Sequence, residues 1–168
     1  MNLKILSLSE AQTTREKFTH VISLLETNYL GDIPHLGIPP ERRLLLICDD
    51  VSSPEVEEFS TIRPPTKEHV SQGLAFARSL PSEAKLLVHC YAGVSRSTAM
   101  AYAILCQTFP KRSEIDLLRR LAPTRKLFIP NGLILIYADE LLQRYGRMVE
   151  AVEEYRLNPR RFRAFEEE

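Results

Sequence analysis

The sequence predicts an α/β fold in three layers: a central, mainly parallel sheet of about four to five strands, flanked by helices on both faces. Two observations carry that expectation. Short apolar runs of strand length alternate along the chain with segments whose apolar residues recur at helical spacing. In addition, the apolar run Leu86, Leu87, Val88 leads through a short turn into Ser97 to Cys106 (STAMAYAILC), which is rich in good helix formers.

The elements follow in order. Leu3 to Leu8 reads as a first strand, and Ser9 as the cap of a helix starting near Glu10. His20 to Leu25 (HVISLL) is a second strand, leading into a polar, proline-rich loop with Gly31, Pro34, Gly37, Pro39 and Pro40. Arg43 to Cys48 is a third strand. Thr66 to Leu80 carries Val70, Leu74, Ala77 and Leu80 as a helical stripe, and the strand ending near Cys90 follows. Beyond Arg96 come a long helix, a helix over Ser113 to Leu121, and a helical stretch from Leu133 to Tyr155 with Gly146 as a point of interruption. Tyr155 to Glu168, with clustered arginines and a terminal EEE, reads as a solvated helix or a frayed end from about residue 156. No repeat or second domain is visible, so residues 1–168 are expected to form one domain.

Composition narrows the function classes. Lys plus Arg and Asp plus Glu are both 22 in 168 residues, so no global field recruits nucleic acid or an anionic membrane. The three cysteines, Cys48, Cys90 and Cys106, show no CxxC or other metal spacing. They fit a reducing compartment, and Cys48 and Cys106 read as small buried hydrophobes. The N-terminal segment lacks the apolar core and cleavage site of a signal peptide, and no apolar run approaches the roughly 18 residues of a membrane span. A cytoplasmic protein without membrane insertion is expected.

The chemistry concentrates in His89 to Ser97 (HCYAGVSRS). Cys90 sits in a strand-to-helix turn, where successive backbone N–H groups and the positive end of the helix dipole favour a tetrahedral anion. Gly93 permits the tight path, and Arg96 can offer parallel donors to two phosphate oxygens in a way that lysine cannot. Tyr91, Ala92, Gly93, Val94, Ser95 and Arg96 are therefore the candidate substrate-binding residues. Helix N-termini and nearby cations favour the thiolate form of a cysteine, and a thiolate beneath an oxyanion cradle is a nucleophile.

The pattern H-C-x-x-G-x-x-R, here His89, Cys90, Gly93 and Arg96 with Ser97 following, resembles the signature of the cysteine-based protein tyrosine phosphatases, including the dual-specificity branch. The resemblance covers roughly residues 43–142. It implies two steps, attack of Cys90 on phosphorus and hydrolysis of the cysteinyl-phosphate, with no metal or other cofactor. It further implies that Arg96 binds the phosphoryl oxygens, that Ser97 stabilises the departing thiolate, and that His89 orients the loop from a buried position. Pro130-Asn131 resembles the family's pair before the final helix, in which the asparagine braces the phosphate loop; Asn131 is equally a good helix N-cap. Arg125 and Lys126 read as solvated surface charges, with attraction of a phosphorylated substrate as the alternative.

Such a reaction also needs a proton donor. Asp49 and Asp50 follow the third strand, at the edge where the loops of an open parallel sheet gather. The resemblance favours Asp50, with Asp49 second. Val51 to Pro65 is longer than the family's compact pattern and offers Glu55, Glu57 and Glu58, or forms a lid or specificity loop. The loop interior holds no lysine, which favours a monophosphate, and Tyr91 either stacks on an aryl substrate or is structural. The expected activity is hydrolysis of phosphotyrosine, with phosphoserine and phosphothreonine open, on a protein or peptide. The alternatives are a catalytically silent phosphate-binding module, a phosphoinositide phosphatase or a sulfurtransferase.

Overall fold

Strands β1 (Asn2–Ser7), β2 (His20–Leu25), β3 (Arg43–Ile47) and β4 (Lys85–Cys90) form one parallel sheet in the order β1-β4-β2-β3. The structure, a computed structural model, describes residues 2–162. The strand that ends in Cys90 is thus interior, with Ser7 opposite Cys90 on one side and Ser23 opposite His89 on the other.

Because side chains alternate across a sheet, the two faces bury different sets. Ile5, Ile22, Leu24, Leu46, Leu86 and Val88 join the larger core. There α2 (Lys67–Arg78) and α3 (Arg96–Thr108) contact the sheet, while α4 (Glu114–Leu121) and α5 (Gly132–Leu141) pack on α3 and α6 (Arg147–Leu157) lies against α4 and α5. Leu6, Val21 and Leu87 face the other way, under Ala11 of the short α1 (Leu8–Thr13) and Ile38 of the β2–β3 connection. Helices cover both faces, unequally. With sheet on one side and helices on the others, α3 is buried continuously from Arg96 to Ile104.

Several boundaries differ from expectation for local reasons. The first strand stops at Ser7, and Ser7 rather than Ser9 caps α1. Its Oγ accepts from the Glu10 amide at 3.1 Å while a Glu10 oxygen accepts from the Ser7 amide at 2.6 Å, so two orphan donors are satisfied reciprocally. The helical stretch Leu133 to Tyr155 is two helices, with the break falling at Gly146 as expected. Gly146 takes φ 86°, and buried Asp139 accepts from the Gly146 and Met148 amides at 2.6 and 2.9 Å, capping α6. The segment after Tyr155 is not frayed as far as Phe162. That ring is buried, edge-on to Tyr155 at 5.4 Å and beneath the Arg119 guanidinium, because docking it removes a large apolar surface from water. The rest of the tail lies outside the described residues.

Candidate active site

Strand β4 delivers Cys90 to the C-terminal edge of the sheet, and α3 begins six residues later. The intervening loop wraps the sulfur. The Gly93 amide donates to Cys90 Sγ at 3.3 Å, and Ser97 Oγ lies 3.1 Å from it. Among the described residues, the amides of Tyr91, Ala92, Val94, Ser95 and Arg96 donate to no protein acceptor. Five neighbouring N–H groups are thus available to an anion at a helix N-terminus.

Gly93 is required by the backbone path. Its φ is 68°, and a Cβ there would sit 2.7 Å from the Ser7 amide nitrogen and 2.8 Å from the Leu6 carbonyl carbon. Tyr91 and Ala92 are exposed on the loop, with Tyr91 showing 61% of its surface, while Val94 and Ser95 are partly covered.

Arg96 is 2% exposed. Nη1 donates to the Cys48 carbonyl at 2.7 Å, and Nη2 donates to the Glu26 carboxylate. Nε is buried without an acceptor. Two of the five N–H groups are thus accepted, and the buried Nε–H left open is a place for a ligand oxygen.

His89 is fully buried between β1 and β2. Burial holds its pKa down at about 4, against a weaker opposing effect of the Cys90 carbonyl, so the ring is neutral at pH 7. That assigns the tautomer: Nδ1 donates to the Cys90 carbonyl at 3.4 Å, and Nε2 accepts from Ser23 Oγ at 2.7 Å.

The two aspartates have separate surroundings. Asp49 ties together the base of the 51–65 loop, accepting from the Thr27 amide at 3.0 Å, the Thr27 hydroxyl at 2.9 Å and the Arg63 amide at 2.6 Å. Burial pushes its pKa up, but these bonds outweigh burial and hold it below the ordinary value. Asp50 is exposed and reaches the loop. Its Oδ1 accepts from Ser95 Oγ at 2.7 Å and Asn131 Nδ2 at 2.9 Å, whereas Oδ2 has no partner among the described residues. Glu55, Glu57 and Glu58 are exposed on a segment whose Phe59 is also exposed. Asn131 takes both of its expected arrangements. Its Oδ1 caps α5 at the Ile134 amide, 3.1 Å away, while its own amide donates to the Ser95 carbonyl at 3.2 Å.

One expectation fails. Arg125 is not a solvated charge: Nε donates to the Gly93 carbonyl at 3.0 Å, and Nη1 donates to Glu10 Oε2 at 2.8 Å and to the Ile5 carbonyl at 3.4 Å. The tertiary fold brings two backbone carbonyls and a carboxylate to it, and these bonds outweigh its preference for water. Lys126 is exposed. Cys48 and Cys106 are buried, and burial pushes both thiols up to about 12, consistent with small core hydrophobes.

Glu26, Ser23 and Glu10 are the site neighbours that spacing did not reveal, and Arg125 is one it read as a surface charge. Only Glu26 left a signal, since it directly follows β2 at the sheet edge that carries Cys90. A sulfur beside an amide donor and a hydroxyl, open amides above it, an arginine with a spare donor and a carboxylate on the rim can together transfer a phosphoryl group.

No protein-family model matches the chain. It is 33% identical over 98 residues to the tyrosine-protein phosphatase yvh1 of Schizosaccharomyces pombe, covering 58% of this chain and 26% of that protein. It is 32% identical over 123 residues to human dual specificity protein phosphatase 15, covering 71% of this chain and 35% of that one. The chain thus spans about a quarter to a third of the length of the curated relatives it matches. Its fold superposes on the crystal structure of human DUSP28 with a TM-score of 0.58, at 18% identity, over 89% of this chain and 94% of the other. No helix among the described residues is long and apolar enough to cross a membrane.

Proposed function

Because this chain is a cysteine-based, dual-specificity tyrosine phosphatase-like protein, we propose that it hydrolyses phosphotyrosine monoesters, and phosphoserine and phosphothreonine where the cleft admits them, on proteins or peptides. The observation that carries the reading is the sulfur of Cys90, held by the Gly93 amide at 3.3 Å and Ser97 Oγ at 3.1 Å beneath amides that have no protein acceptor.

In the first step the Cys90 thiolate attacks phosphorus. The S–P bond forms as the ester P–O bond breaks, and the leaving oxygen takes a proton from Asp50. The amides of Tyr91, Ala92, Val94, Ser95 and Arg96 and the Arg96 guanidinium hold the phosphoryl oxygens, whose charge is spread most widely in the transition state. In the second step water attacks phosphorus and gives a proton to the Asp50 carboxylate. The S–P bond breaks, inorganic phosphate leaves, and Ser97 Oγ donates to the thiolate that returns to Cys90. Neutral His89, donating to the Cys90 carbonyl, holds the start of the loop, and Asn131 holds its end through Ser95. No step calls on a metal or other cofactor.

The absence of lysine among Tyr91, Ala92, Val94 and Ser95 supports a monophosphate over a polyphosphorylated lipid headgroup. A single domain working in the cytoplasm suits three free cysteines and a nucleophile that must stay reduced.

The test is hydrolysis of an aryl phosphate without added metal, with phosphopeptides compared in the same assay. Cys90→Ser should abolish turnover while still binding phosphate. Full activity of Cys90→Ser would overturn the reading, and wild-type protein that binds phosphopeptides without hydrolysing them would replace it with a phosphate-binding module.

A further inference from the structure

We propose that Arg125 is a positioning residue, which sets the polarity of the Cys90 loop by holding the Gly93 carbonyl on the outside. The inference rests on the phosphatase reading of that loop and deepens it.

In a planar trans peptide the C=O and the following N–H point to opposite sides. A carbonyl fixed outside the loop therefore turns the next residue's amide inward. Four loop carbonyls are fixed in this way. Tyr91 O accepts from the Leu8 amide at 3.0 Å, Gly93 O from Arg125 Nε at 3.0 Å, Val94 O from the Ile129 amide at 3.0 Å and Ser95 O from the Asn131 amide at 3.2 Å. The amides that follow them, at Ala92, Val94, Ser95 and Arg96, are among those with no protein acceptor. Residues 125–131 are thus a strap that engages three consecutive carbonyls and leaves three consecutive donors for an anion.

Three of the four fixings use backbone amides. Val94 O and Ser95 O accept from Thr98 Oγ1 in addition to a backbone amide, so of the four only that of Gly93 rests wholly on a side chain. Gly93 is also where the chain is freest to turn a peptide over, because glycine populates both signs of φ. Arg125 in turn is clamped. Glu10 Oε2 accepts its Nη1 at 2.8 Å as well as the Ser7 amide at 2.6 Å, and Ser7 lies opposite Cys90 in the sheet. The guanidinium therefore joins the loop to the β1–α1 turn. Losing it frees the Gly93–Val94 peptide to turn, which replaces the Val94 N–H by a carbonyl facing the anion.

The experiment measures vanadate affinity, and kcat/KM on aryl phosphates with good and poor leaving groups, for wild type, Arg125→Met and Arg125→Lys. Removing one oxyanion donor costs about 10²–10³-fold, and a loop that turns over only part of the time loses less, so Arg125→Met should weaken vanadate binding about 10- to 100-fold. kcat/KM should fall by a similar factor on both leaving groups, and Arg125→Lys should recover part of each loss. Folded Arg125→Met with wild-type vanadate affinity and kcat/KM overturns the proposal, whatever happens to its melting temperature. Should Arg125→Met not fold, Arg125→Lys and the wild-type Val94 amide resonance decide. A Val94 amide that does not respond to saturating vanadate overturns it as well. Wild type that binds vanadate but hydrolyses no ester sinks the phosphatase reading and leaves this one to the affinities, whereas active wild type with unchanged Arg125 variants does the reverse. Wild type that binds no vanadate overturns both.

Discussion

Replacing Asp50 by asparagine separates proton donation from architecture. Oδ1 of Asp50 already accepts from Ser95 Oγ and Asn131 Nδ2, so the transferable proton belongs on Oδ2, which has no partner among the described residues. An asparagine carbonyl can accept the same two bonds, with its NH2 in place of Oδ2. The scaffold should then survive, at a cost of about 1 kcal/mol for exchanging a charged acceptor for a neutral one. What is lost is the acid. A positioned acid contributes about 10²–10⁴-fold, or about 3–5 kcal/mol of transition-state stabilisation, when the leaving group needs its proton, and little when it does not. kcat/KM is the quantity to follow, because it reports formation of the cysteinyl-phosphate and not its breakdown. Asp50→Asn should therefore lower kcat/KM at least about 100-fold on phosphotyrosine or an alkyl phosphate, and only a few-fold on an aryl phosphate with a strongly acidic phenol. Asp49→Asn is the control. Its three accepted bonds tie Thr27 to Arg63, so it should loosen the 51–65 loop and slow both substrates alike. Equal slowing of both substrates by Asp50→Asn would refute the assignment and return attention to Asp49 or to Glu55, Glu57 and Glu58.

Three further expectations follow from the same geometry. Ser97→Ala removes the hydroxyl 3.1 Å from the Cys90 sulfur and should lower kcat about 10- to 100-fold with little change in kcat/KM, seen as a burst and trapped phosphocysteine on rapid quench; equal losses in both constants would count against it. Gly93→Ala places a Cβ 2.7 Å from the Ser7 nitrogen at φ 68° and should cost about 2–4 kcal/mol in urea unfolding, together with activity, so an unchanged midpoint would contradict the packing. His89 binds its proton less readily folded, at about 4, than unfolded, at about 6.5. The unfolded chain therefore takes up protons first as pH falls. The contribution of His89 to stability is whole above about pH 6.5 and drains away towards pH 4, by about 2 kcal/mol between pH 7.5 and 5. That part of the slope should vanish in His89→Asn, and an identical slope in the variant would argue that the ring is not buried neutral.

Much of this was legible in the order of residues because the interactions concerned are local. A strand, a glycine at a positive φ and a helix N-terminus within nine residues require each other, so Cys90, Gly93 and Arg96 could be placed from spacing, with Ser97 added by the family resemblance. Short apolar runs likewise marked every strand, and apolar density and helical spacing the helices α2 to α4, while the C-terminal helical stretch took the split that Gly146 suggested. Other features needed the fold. The Ser7 cap was displaced by two residues because Ser7 and Glu10 satisfy each other's backbone, a choice that the alternative Ser9 does not exclude by composition. Asp49 and Asp50 are chemically alike and adjacent, yet one faces Thr27 and Arg63 while the other faces Ser95 and Asn131, and only the paths of distant loops separate them.

Periodicity and contacts a few residues apart were enough to reveal the α/β layering, the candidate nucleophile-and-cradle segment and the residue types able to run the proposed chemistry. The tertiary structure decided which groups hold that segment in shape: Glu26 and the Cys48 carbonyl on Arg96, Ser23 on His89, and Arg125 on Gly93 across 32 residues. Each of those partners is polar and unremarkable in its own stretch of chain. What gives it a role is a buried donor or acceptor brought from elsewhere that would otherwise go unpaired, and that cost exists only once the chain has folded.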